Sequence, residues 1–227
     1  MHIPDGYLGP ITWIAFWLIM IPIWIIAAKK VKRELKTKNI PFLAMGAAFS
    51  FLIMMFNFPI FGGTTGHAVG GTLLAVIFGP WAALIAVSVA LIIQAFLFGD
   101  GGITMIAVNC FNMAFVLPFV GYYIYKIISS KAPVNSSRQW IGAAIGSYIG
   151  INVAAVCAGF ELGIQTVLYP PVNGEFQYFM YPVNVSVPAM ALGHLLVFGV
   201  VEAIVTLLVV KYIQKTEPSL LKVSARG

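Results

Sequence analysis

Seven apolar runs, set apart by glycine, proline and short polar breaks, constrain this chain more than any other feature of it. They fall near residues 11–28, 41–57, 68–80, 82–98, 104–126, 140–160 and 186–211. Most approach the length of about 20 residues that a helix needs to cross a hydrocarbon core. Only 9% of the chain is charged and its mean hydropathy is +0.95, whereas roughly a quarter of the residues of a soluble domain are charged. Lipid offers no water to bond the backbone, so runs of this kind cross it as helices. The expected fold is an all-α, polytopic membrane bundle of seven transmembrane helices, one membrane domain over 1–227 with no separate soluble domain. The third run is short for a span and is expected to tilt, or to draw on the glycine-rich segment ahead of it.

The basic residues set the orientation. "KKVKRELKTK" follows the first run, Lys126, Lys131 and Arg138 flank the link between the fifth and sixth, and Lys211, Lys215, Lys222 and Arg226 close the sequence. The positive-inside rule puts all of them in the cytoplasm. Seven crossings then leave the N-terminus outside, together with "NFPIFGGTTGHAVGG", "FGDGGI" and the segment from Glu161 to Val185. None of these carries Lys or Arg. The formal charge of +6 is thus a topology signal, and no nucleic-acid partner is implied. The first run lacks a basic stretch before it and carries one after it, so it is expected to stay as a helix and not to be cleaved as a secretory signal. Cys110 and Cys157 lie inside apolar runs, where cysteine acts as a small hydrophobe.

The outer side gathers the chemistry. Of the three histidines, His2 and His67 lie there, and His194 lies in the outer half of the last helix. A Met1 amine, the deprotonated His2 amide and the His2 imidazole can close a five-membered and then a six-membered chelate ring around one divalent ion. His67, on a glycine-rich turn, can fill the remaining in-plane position. Four nitrogens in a plane suit Ni(II) or Cu(II), while zinc prefers a tetrahedron. Residues 1–10 are accordingly read as a chelating terminus, with Met1 retained and its amine free. Pro4 and Gly6 favour a turn just after it. Asp5, Asn57, Asn109 and His194 are candidates for support behind the ligands, Asp5 by accepting from an imidazole N–H. At their ordinary pKa values, about 6.5 and 7.8, imidazoles and amine would lose the ion on acidification through that range.

"GGTTGHAVGG" lacks the Lys-Ser/Thr pair of a nucleotide loop, and neither HExxH nor GxSxG occurs, so no nucleotide site, metalloprotease or serine hydrolase is indicated.

"MHIPDGYL", "AMGAAFSFLIMMFNFPI", "GGTTGHAVGGTLLAVIFGPW" and "QAFLFGDGGITMIAVNCFNMA" resemble the NikM/CbiM family, the substrate-binding membrane subunits of energy-coupling factor (ECF) transporters for nickel and cobalt. The likeness covers essentially the whole chain. It implies metal ligation by Met1, His2 and His67, and a six-helix substrate-binding core (here 41–211) preceded by an extra N-terminal helix (11–28). "MHIPDG" is closer to the nickel branch, so Ni(II) is the expected cargo, with Co(II) as the alternative and no catalytic cofactor. The resemblance further implies a transmembrane coupling subunit, two ABC-type ATPase subunits and a small accessory membrane component in a prokaryotic plasma membrane. Ala44 and Ala48 resemble the small-residue motif that docks on the coupling subunit, although Ala82, Ala86 and Ala90 repeat that spacing in what can be ordinary packing. A stand-alone permease would line its path with several intramembrane carboxylates or histidines, and only Glu202 and His194 stand in the expected helices. These two are eight residues, about 12 Å, apart and cannot share one ion.

Overall fold

The computed structural model describes residues 1–35 and 37–224. Lys36 and Arg226, and the side chains of Lys38 and Lys222, lie outside what is described. The chain is helical almost throughout. Five helices are long and apolar enough to span a membrane: α1 (Pro10–Glu34), α4 (Pro80–Phe98), α5 (Ile106–Ser129), α6 (Ser137–Leu168) and α7 (Val183–Thr216). Two shorter apolar helices, α2 (Ile40–Met54) and α3 (Gly71–Phe78), stand between α1 and α4, and a short α8 (Ser219–Ser224) follows α7.

The boundaries differ from the apolar runs for physical reasons. Helix α1 continues to Glu34, past the end of its apolar run, because Lys, Arg and Glu are good helix formers and cations favour a helix C-terminus. Helix α3 begins only at Gly71, and residues 68–70 are loop. Gly70 has φ +75°, a left-handed conformation that glycine adopts without steric cost. Every residue from Gly71 to Ile77 is buried, and α3 packs against α4, α5, α6 and α7. The core is therefore built around a helix too short to span a bilayer.

A buried helix start exposes N–H groups that lipid cannot satisfy. Glu202, on α7 and 1% exposed, supplies the acceptor: Val69 N donates to its Oε2 at 2.7 Å, and Gly70 N lies 3.0 Å from both of its oxygens. The negative charge also faces the positive end of the α3 dipole. The lone intramembrane carboxylate of the last helix is thus the cap of α3.

The loop ahead of α3 descends along α7. It starts as a minimal antiparallel hairpin pairing Phe58 with Gly66 and Pro59 with Thr65. A Cβ at Gly63 would lie 2.7 Å from Met190 Sδ, and one at Gly66 only 1.9 Å from the Phe198 ring. Side chains at these positions would push the loop off the helix.

The basic residues gather at one end of the bundle. Lys30 at the end of α1 lies over the Trp81 ring at the start of α4, and Lys211 near the end of α7 lies over Trp140 at the start of α6. Arg138 Nε donates to Ile128 O across the α5–α6 link at 3.0 Å. The N-terminal segment, the 55–70 loop, residues 99–105 and residues 169–182 meet at the opposite end.

Candidate metal centre

The first nine residues are a fixed part of the fold. Met1, Ile3 and Leu8 are at most 1% exposed and His2 3%. Ile3 exchanges two hydrogen bonds with the Asn109 side chain, its N donating to Oδ1 at 2.9 Å and its O accepting from Nδ2 at 3.1 Å. Gly102 N also donates to Ile3 O. The turn expected after Pro4 forms, with Tyr7 N donating to Pro4 O and Gly6 at φ +84°. Phe179 N donates to Tyr7 O, and Gly9 N to Gln165 Oε1 at 2.9 Å. The Met1 nitrogen is thereby held against Thr65, donating to its carbonyl and to its Oγ1.

Tautomers decide what the two histidines can do. Gln94 Nε2 donates to Phe51 O at 3.4 Å, so its Oε1 faces the His2 ring, where Nε2–H donates to it at 3.1 Å. The lone pair of His2 is therefore on Nδ1, the nitrogen that a chelate with the amine and amide requires. His67 Nδ1–H donates to Ala68 O at 3.0 Å, leaving the lone pair on Nε2. The two ring centroids are 4.6 Å apart, and neither His2 Nδ1 nor His67 Nε2 has a hydrogen-bond partner although both are buried. A buried polar atom without a partner is costly, and here two of them share one small volume beside an amine. Among the described residues no cluster of three His, Cys, Asp or Glu side chains forms a metal cage. An ion held here would draw two of its donors from the backbone.

Burial keeps these nitrogens unprotonated. Desolvation pushes the Met1 amine down to about 4, against the partial opposition of Asp100. It pushes His2 down to about 3, with the neighbouring amine adding to the effect. His67 falls well below its usual value, through burial first and then the amine, His2 and His194. The acid sensitivity expected of exposed ligands therefore moves to a lower range. With these nitrogens already unprotonated near neutral pH, the His2 amide is the group left to release a proton on binding, so rising pH favours the ion by about one log unit of affinity per pH unit. Free amine and imidazoles would give a slope of up to about four below their ordinary pKa values. Titrating nickel affinity between pH 5.5 and 8 distinguishes the two slopes.

The supporting candidates are distributed differently from expectation. Asp5 accepts from Ile103 N and Thr104 N, both at 3.0 Å, and from the Thr104 hydroxyl. It fastens the terminus to the 102–104 turn and bonds no imidazole. The carboxylate near the His2 ring is Asp100, to which Asn57 Nδ2 donates at 3.4 Å. Asn109 grips Ile3. His194 is fully buried, with Nδ1–H donating to Met190 O at 2.8 Å and Nε2 without a partner. Glu161, assigned by the sequence to an outer segment, is buried inside α6 and accepts from Asn112 Nδ2 at 2.6 Å. Ala44 and Ala48 lie on an exposed face of α2, whereas Ala82, Ala86 and Ala90 are in the core. Gln94 was missed: a single amide in an apolar run gives no sign that it sets the tautomer of a histidine 92 positions away.

The chain is similar to named metal-transport proteins. It is 48% identical to the fused nickel transport protein NikMN of Rhodobacter capsulatus over 97% of its own length and 64% of that longer protein. It is 31% identical to the cobalt transport protein CbiM of a Roseiflexus species over 78% of this chain and 68% of that one. A crystal structure of a transition metal transporter superposes with a TM-score of 0.90 at 51% identity, covering the whole of both chains. The family model described as the cobalt uptake substrate-specific transmembrane region matches residues 2–220. Such proteins are transport subunits and not enzymes. The chain therefore belongs to the CbiM family, as a multi-pass metal-transport component of the prokaryotic plasma membrane.

Proposed function

We propose that this chain is the substrate-specific subunit of an ECF-type importer, which captures Ni(II) at the outer face and yields it inward when partner subunits hydrolyse ATP. The observation that carries this reading is the convergence of the Met1 amine, His2 Nδ1 and His67 Nε2, all buried and with lone pairs uncommitted to other hydrogen bonds. With the His2 amide they form a planar field of four nitrogens, which suits Ni(II) better than Co(II). The higher identity to the nickel-named relative points the same way. On this reading seven segments cross the membrane, the third of them the buried loop before α3 together with α3 itself, with the N-terminus outside and the C-terminus in the cytoplasm. The basic end of the bundle is the inner one.

The partners are a transmembrane coupling subunit, two ABC-type ATPases and a small accessory membrane component. Ala44 and Ala48 suit docking because small residues four apart on an exposed helix face let a partner helix approach closely. A stand-alone permease fits less well. Glu202 is engaged at the start of α3 and Glu161 with Asn112, leaving no chain of free carboxylates to conduct an ion. Nickel accumulation in cells producing the chain with and without its partners tests the reading. Uptake is expected only with the full set and an intact ATPase, and uptake by this chain alone would favour the permease.

A further inference from the structure

A cavity of about 430 Å³ opens beside His2, lined among others by Pro59, Thr65, Asp100 and Tyr181. Asp100 is the only carboxylate on its wall among the described residues. Its Oδ2 is 3.6 Å from His2 Nδ1, and the His2 ring proton is on the opposite nitrogen, held by Gln94. Two lone pairs therefore face each other with no hydrogen between them, one of them on a side chain 3% exposed. Bonds of about 2.0–2.2 Å from an ion to nitrogen and oxygen bridge donor separations from about 2.9 Å at a right angle to about 4.2 Å in line. The gap fits a divalent cation.

The surroundings hold the carboxylate there. Gly99 and Gly101 flank it with φ of +66° and +80°, and a Cβ at Gly101 would lie 3.2 Å from the His2 ring, so the turn is pressed onto the ligand. The connecting segments at this end carry Asp5, Asp100 and Glu175 and no Lys or Arg. Asp5 is spent on the 103–104 backbone, which leaves Asp100 to face the cavity. A divalent ion bound to a deprotonated amide retains a net charge of +1, and one carboxylate beside it makes the assembly neutral.

We propose that Asp100 is the entry ligand: its carboxylate takes the hydrated cation from the cavity mouth, hands it to His2 Nδ1 and stays beside it as the counter-charge. The proposal rests on the metal-site reading above. It is tested with the purified full-length chain and a nickel salt, following the rise of the d–d absorption band after rapid mixing. Asp100→Asn is expected to load about tenfold or more slowly, with a flattened dependence on ionic strength, while its final band stays at the native wavelength. Asp100→Glu should recover most of the rate. Loading of Asp100→Asn at the native rate with the native salt dependence would overturn the proposal, and so would a shifted band at an unchanged rate, which marks a structural role. If the variant does not fold, the unmodified protein decides: loading that slows as salt rises supports an entry carboxylate, and salt-independent loading contradicts it. A native protein without any planar d–d band would instead overturn the metal site itself, before any variant is compared.

Discussion

His67→Ala is expected to lower nickel affinity by more than 100-fold and to move the d–d band of the bound ion to longer wavelength. Losing a group that merely orients a metal ligand typically costs about 10–100-fold, and His67 is proposed as a ligand itself. The alanine variant leaves three nitrogens in the plane and a position that water must fill, and oxygen exerts a weaker field than imidazole. The effect is on the ion and not on the fold. His67 makes a single hydrogen bond, to its neighbour's carbonyl, so the metal-free variant should melt close to the metal-free native protein. Competition against a chelator of known affinity measures the loss. Unchanged affinity would remove His67 from the ligand set.

Glu202→Ala should act in the opposite way, through the fold first. It strips two buried N–H groups at the start of α3 of their acceptor, at about 1–3 kcal/mol each. The 60–70 loop hangs from this point, and His67 with it. A large fall in melting temperature is expected in detergent solution even without metal, with weakened nickel binding as a consequence. Glu202→Gln keeps one acceptor oxygen and should lie between the two. A native-like melting temperature for the alanine variant would show that α3 is capped by something else.

These two residues also mark how far the sequence could be read. The helices were legible because apolar runs of spanning length have few alternatives in lipid. His2 and His67 were proposed as ligands because a terminal amine followed at once by histidine can chelate, and a histidine on a glycine-rich turn can complete the plane. Glu202 stood out as an ionisable group within a membrane run, but its role was hidden, since the N–H groups it caps are more than 130 positions away. Helix α3 was overextended because Ala68 and Val69 are as apolar as the helix that follows; the left-handed Gly70 sets the true start. Gln94 and Asn109 looked like isolated amides in apolar runs. Their work, fixing the His2 tautomer and gripping Ile3, exists only once the terminus is threaded between the helices. Asp100, and not the expected Asp5, stands beside the imidazole for the same reason: the turn at Gly6 carries Asp5 to the 103–104 backbone, and the Gly99–Gly101 turn brings Asp100 to His2.

The central claim is that the terminal amine is a ligand, and adding one residue ahead of Met1 tests it most directly. The Met1 nitrogen is buried against Thr65, so an added residue converts the amine to an amide and displaces it from Thr65. Metal content and visible absorption of the purified native and extended proteins are to be compared. About one nickel per native chain with a square-planar d–d band, and none in the extended chain, is the predicted result. Equal nickel content and identical bands in both would make the terminus a bystander and contradict the account.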